Sequence, residues 1–170
     1  MERPASYEEW ERTVPAAIAE DSLWQMRAYR IALFLSDLGW QDATRLAGDR
    51  RAVGLADQPV RSLGSVGANL AEGYSRGTGK DRARLYEYAQ GSARESRDWC
   101  YRAQYILGEA VLHHRLDLLT EVIRLLLTMV PQQRGRVLRE PRPAYQADPA
   151  APALPPDDPA PPVLSQPVPC

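Results

Sequence analysis

Between Arg61 and Glu95 the chain reads RSLGSVGANLAEGYSRGTGKDRARLYEYAQGSARE, and this stretch constrains the fold more than any other. On the way in, apolar or small residues fall at Val60, Leu63, Gly67, Leu70 and Tyr74, steps of three and four that trace one helix face. On the way out, Leu85, Ala89, Ser92, Ser96, Trp99, Ala103 and Ile106 repeat the pattern. Between them lies Gly73-Tyr-Ser-Arg-Gly-Thr-Gly79, whose glycines are free to take the positive φ that ends a helix. Thr78 with Asp81 three residues later is a start signal for the outgoing helix. The stretch predicts an αα-hairpin, and a chain organised around it is all-α. No reaction can be read from it.

The flanking sequence predicts two more long helices. Trp24, Ala28, Ile31, Leu35 and Leu38 form a heptad-spaced stripe, so a first long helix is expected from Asp21 or Ser22 to about Leu38, with Gly39 stopping it. Residues 39–56 read as a connection that holds a short helix or extends the next one. Asp57 then caps the second helix, with Pro59 in its first turn, where the missing N–H has no intrahelical partner. The third helix is expected from Gly79 to Leu107, roughly 43 Å at about 1.5 Å per residue. After a link at Glu109–His113, a fourth runs to about Val130, where Pro131 kinks or ends it. The whole is expected to be an antiparallel, up-and-down four-helix bundle over residues 21–140. An N-terminal arm, residues 1–20, starts a short helix at Ser6-Tyr-Glu-Glu9 and carries Trp10, Val14 and Ile18 as one apolar edge. Residues 141–170 contain eleven prolines and are expected to be a disordered tail of polyproline-II character, a kind of peptide that docks on aromatic grooves.

Charge and composition exclude several classes of function. The formal net charge is −1, so bulk charge does not attract nucleic acid or anionic lipid. Two cysteines, Cys100 and Cys170, make no disulfide framework, and a reduced, cytoplasmic setting is expected. No run of about eighteen apolar residues offers a membrane span. Gly73 to Lys80 resembles a phosphate loop only superficially, because Thr78 stands where the second glycine belongs and no strand precedes it. His113 and His114 are adjacent and lack partners for a metal. Glu72 and Glu95 are paired carboxylates without the Glu-x-x-His motifs of a di-metal bundle. No catalytic residue, cofactor, metal or small-molecule substrate is expected. Arg76, Lys80, Arg82 and Arg84 cluster at the hairpin tip and are the candidate contacts to RNA or DNA phosphates.

Two signatures in the hairpin carry a family resemblance. Ser65-Val-Gly-Ala-Asn69-Leu-Ala-Glu72-Gly73 and, downstream, Ala89-Gln-Gly91-Ser92-Ala-Arg-Glu95 resemble the paired motifs of the four-helix-bundle family of 23S rRNA intervening-sequence proteins. Leu55-Ala-Asp57-Gln58 is similar to the usual lead-in. The resemblance extends over residues 22 to 130, with Gly67 where the family usually has proline. It implies structural roles for Asn69, Glu72, Gly73, Gly91, Ser92 and Glu95, and a ring-like homo-pentamer. Some relatives resemble accessory subunits of reverse transcriptases.

Three specific expectations follow. With the turn centred near Gly77, Arg61 lies opposite positions 93–95 and Glu72 opposite 82–84, predicting an Arg61–Glu95 ion pair and a Glu72 contact to Arg82 or Arg84. The fourth helix carries a second apolar stripe, Leu118, Val122, Leu125 and Met129, beside its core stripe. Left in water on a lone bundle, that stripe predicts an oligomer interface, with cover by the arm or by residues 39–56 as the competing explanations.

Overall fold

A computed structural model of the chain describes residues 4–135 and 162–169. Among these there are six α-helices and no strand: α1 (Tyr7–Thr13), α2 (Ala16–Ala19), α3 (Arg27–Ala47), α4 (Val53–Tyr74), α5 (Gly79–Leu107) and α6 (Glu109–Gln133). Single 3-10 turns at Ser22–Gln25 and Pro162–Ser165 complete the set. The four long helices pack consecutively, and α3 also packs on α6. The end of the expected 21–140 unit and residues 141–161 of the expected tail lie outside the described residues.

Local chemistry explains most boundaries. Ser6 Oγ accepts the Glu9 N–H at 3.2 Å and starts α1, as its sequence predicts. Asp21 Oδ1 accepts the Leu23 N–H at 2.7 Å, but it caps the 3-10 turn, and extended backbone at Met26 delays α3 to Arg27. Thr78 Oγ1 accepts the Asp81 N–H at 3.1 Å and starts α5. Gly108, at φ 88°, is the whole joint between α5 and α6. The expected link at Glu109–His113 is instead the first turn of α6.

Gly39 does not stop α3, which continues to Ala47. A Cβ at Gly39 would overlap Leu63 Cδ1, so this glycine is a point of close approach between α3 and α4. Only residues 48–52 connect the two helices, and α4 begins at Val53. Asp57 and the buried Pro59 are therefore interior to α4, not at its cap. The hairpin glycines also differ from expectation. None of Gly73, Gly77 and Gly79 has positive φ. Gly73 instead leaves room for Tyr86, whose Cε1 would stand 2.6 Å from an added Cβ, and Gly79 leaves room for the Gln133 carbonyl.

One large apolar cluster runs through α3–α6 and takes in Tyr7 and Trp10 of α1, Trp24, and the C-terminal Leu164 and Val168. Each such side chain contributes about 1.5–3 kcal/mol by leaving water. Leu118 and Val122 are wholly buried in it, and Leu125 and Met129 pack partly buried against it. The second stripe of α6 is thus core within one chain, which removes the argument for it as an oligomer interface. Of the arm's apolar edge, Trp10 goes in, while Ile18 stays 37% exposed. The expected disordered tail is also corrected in part: Pro162–Ser165 packs on α1 and α6, and the Val168 N–H donates to the Ala5 carbonyl at 2.9 Å. A smaller cluster, with Leu46, Ala103, Leu107 and Val111, closes the end where α5 meets α6.

Candidate functional site

The two hairpin signatures meet across the α4–α5 contact as a seam of small polar side chains. Ser92 Oγ donates to Ser65 Oγ at 3.0 Å. Asn69 Nδ2 donates to the Ser65 carbonyl at 2.8 Å and to Ser65 Oγ at 3.1 Å. One turn further, Ser96 Oγ donates to the Ser92 carbonyl and lies 2.9 Å from the buried Ser62 Oγ. Small side chains let the two backbones approach closely, and each hydroxyl is satisfied within the contact. This register sets Ser62 beside Ser96, further along α5 than the turn geometry predicts. Arg61 and Glu95 each sit one residue away, rotated by about 100°, and both are exposed. The expected Arg61–Glu95 ion pair is not formed; Glu95 Oε1 accepts from Trp99 Nε1 at 3.1 Å instead. Glu72 pairs with Arg76, just past the end of its own helix, not with Arg82 or Arg84.

Beneath this seam lies a layer of buried charge. Arg115 is wholly buried on α6 and grips Asp42 of α3 in a two-point ion pair, Nε–Oδ2 at 2.8 Å and Nη2–Oδ1 at 3.0 Å. Its Nη1 lies 2.7 Å from His114 Nδ1. Since guanidinium only donates, that ring nitrogen accepts. Glu121, also buried, takes Arg124 at 2.8 Å and Arg27 at 3.2 Å. Cys100 is pushed up to about 12, chiefly by burial and further by the Asp42 charge, against which Arg115 acts. A thiol held protonated in this way is a packing group, not a nucleophile. Among the described residues no three His, Cys, Asp or Glu side chains converge as metal ligands. None of the described helices is long and apolar enough to cross a membrane.

Three of the four basic residues of the hairpin tip are engaged in local contacts. Arg76 is engaged by Glu72, Arg82 Nε donates to the Arg76 carbonyl at 2.7 Å, and Arg84 lies 3.9 Å from Asp81. Lys80 is exposed. The outward side of α5 beyond Leu85 is more unusual. Tyr88, Tyr101 and Tyr105 are 55%, 59% and 87% exposed. Arg94, Arg97 and Tyr101 line a shallow recess of about 420 Å³ against Leu116. Gly91 lies on the same side, exposed, with nothing within 4 Å of where a Cβ would stand.

The sequence reading missed both the Asp42–Arg115 layer and the tyrosine face. Asp42 continues the α3 stripe four residues beyond Leu38, and Arg115 continues the second α6 stripe three residues before Leu118. Two opposite charges on core-facing stripes were the available signal.

Fold and seam together define an all-α protein whose hairpin motifs serve helix packing. The chain belongs to the 23S rRNA-intervening sequence protein family, whose model matches residues 25–128, from just ahead of α3 through most of α6. Neither a curated protein nor a solved structure gives a significant match.

Proposed function

We propose that this protein is a non-enzymatic, cytoplasmic assembly module, an antiparallel four-helix bundle of α3–α6 that self-associates through the outward side of α5. The observation that carries this reading is the set of three tyrosines left in water there, Tyr88, Tyr101 and Tyr105. Tyrosine and arginine are the side chains that most often anchor protein interfaces. Gly91 supports it further. A mid-helix glycine costs about 1 kcal/mol relative to alanine, and this one gives its own chain no close contact in return. Bare backbone one turn from Tyr88 suits the close approach of a second helix. Resemblance favours a ring-like homo-pentamer, in which that face meets a different surface of the next copy.

Light scattering across micromolar concentrations tests the reading. The expected mass is a multiple of 19.0 kDa, and Tyr101→Asp with Tyr105→Asp lowers it while helicity stays. A monomeric mass at every concentration overturns it.

A second reading rests on Arg94 and Arg97, exposed on α5 beside Tyr101. Unlike Arg76, Arg82 and Arg84, they take part in no ion pair or hydrogen bond among the described residues. Arginines for phosphates and tyrosines for stacked bases suit a nucleic-acid-binding accessory protein acting on RNA or DNA. Binding of that kind fades steeply with salt and is lost in Arg94→Glu with Arg97→Glu. Copurifying nucleic acid, read from absorbance at two wavelengths, separates the readings.

A further inference from the structure

Beside the α5 tyrosines, the most exposed large apolar side chain among the described residues is Trp40 of α3, at 68%. Trp10 and Trp24, by contrast, are buried. α3 and α5 each pack mainly on α4 and α6, so they lie diagonally across the bundle and their outward sides face opposite ways. Asp37 one turn before Trp40 and Thr44 one turn after it are exposed as well, which marks the outward side of α3. Glu9 of α1 borders the same surface. The Glu9 and Asp37 carboxylates each accept a neutral N–H at 2.6 Å, from the Ala5 backbone and the Trp10 indole. Neither takes part in an ion pair among the described residues. The nearby Arg45 instead donates to the Ile106 and Leu107 carbonyls at 3.3 Å. This side of the molecule is therefore aromatic and acidic.

The outward side of α5 is its chemical complement. It carries Tyr88, Tyr101 and Tyr105 in water, with Arg94 and Arg97 unpaired between them. Asp98 beside the two arginines is taken by Arg102 at 2.8 Å. Guanidinium pairs strongly with carboxylate, and tyrosine packs well on an indole. Pairing α5 with α5 of a second copy is less suited. Arg94 and Arg97 stand near the middle of the 88–105 span, so a two-fold axis through that face sets like charge against like. A junction of unlike surfaces sets the same arginines against Glu9 and Asp37. Two complementary surfaces on opposite sides of one copy repeat from copy to copy, which is what a closed ring requires.

We propose that the acidic, Trp40-bearing side of α3 is the surface that receives the α5 face of the next copy, so that the chain assembles head-to-tail. This rests on the self-association through α5 proposed above and names its other half. Two full-length variants, each spoiling one surface, test it by mixing. Tyr101→Asp with Tyr105→Asp spoils the α5 face, and Trp40→Lys sets a cation where Arg94 and Arg97 should dock. Each alone is expected to show the 19.0 kDa of one chain by light scattering, with helicity unchanged. An equimolar mixture is expected at twice that mass, because each copy keeps the surface that the other lacks. In the natural chain, acrylamide quenching of Trp40, taken as the difference from Trp40→Phe, is expected to fall several-fold over the concentrations at which the mass rises. Trp40→Lys that keeps the natural oligomer mass, or quenching that ignores concentration, overturns the α3 surface and leaves the α5 reading standing. A mixture that stays at the mass of one chain overturns the head-to-tail pairing. A natural chain that is monomeric at every concentration overturns both.

Discussion

Among the described residues Arg115 is the largest side chain wholly removed from water, and its pairing with Asp42 is what makes that tolerable. Two charges taken from water each cost several kcal/mol, and the mutual attraction offsets this only with good geometry. Here the pair is two-pointed, and His114 Nδ1 accepts a further guanidinium N–H. Arg115→Met strands the Asp42 carboxylate and is expected to cost about 3–5 kcal/mol in urea unfolding, whereas adding Asp42→Leu recovers most of it. If the double variant is no more stable than the single one, the pair is not what the layer depends on. Beside it, the Cys100 thiol is pushed up to about 12 by burial, against an ordinary value of about 8.5. The folded chain holds this proton more tightly than the unfolded chain. Its contribution to stability is therefore full below about pH 8.5 and is lost as pH rises toward 12. Cys100→Ala is expected to flatten the fall in stability over that window. An unchanged slope assigns the alkaline sensitivity to the raised tyrosines, Tyr7, Tyr29 and Tyr86.

At the scale of the helix, glycine meets three different demands in one hairpin. Gly64 and Gly91 have nothing within 4 Å of an added Cβ, while Gly73 would meet the buried Tyr86 ring at 2.6 Å and Gly79 the Gln133 carbonyl. Gly64→Ala is expected to stabilise the chain by about 1 kcal/mol. Gly73→Ala is expected to destabilise it by about 1–3 kcal/mol through overpacking. Thermal unfolding of the two variants decides it, and shifts of the same sign refute the assignment. The same contrast shows what was legible beforehand. Helix-period spacing and the Thr78–Asp81 cap were sufficient for α4 and α5, because they are local. Gly39 reads as a stop for the same local reason, yet it is a close approach to Leu63, at a crossing of two helices whose register the sequence does not reveal. Ser62, Ser65, Ser92 and Ser96 likewise look like helix-face residues until the register pairs them. Arg61 and Glu95 have matching charges and neighbouring positions, but the rotation of one residue sends both to solvent.

Across the whole molecule, the two chain ends form one unit with α6. The second α6 stripe had suggested a missing subunit, but Leu118 and Val122 share a cluster with Tyr7, Trp10, Leu164 and Val168. The arm's aromatic rings stack closely, with Tyr7 edge-on to Phe34 at 5.3 Å and Trp10 at 5.1 Å from the same ring. Polar contacts add Trp10 to Asp37 and Arg30 to Glu11 at 3.0 Å. The C-terminal segment has much less: two buried anchors, Leu164 and Val168, and one backbone hydrogen bond to Ala5. Two apolar anchors and one hydrogen bond are a small return for the backbone freedom lost in ordering the segment. The segment is therefore held weakly, and α1 shares in whatever is lost when it leaves. Leu164→Asp is expected to speed amide exchange in Tyr7–Thr13 by at least tenfold while the α4–α5 hairpin keeps its protection. Exchange rates in α1 that stay at the natural value show that the arm holds without its C-terminal cover. A uniform acceleration through α4 and α5 instead makes the segment part of the global fold, and either result refutes a separable terminal unit.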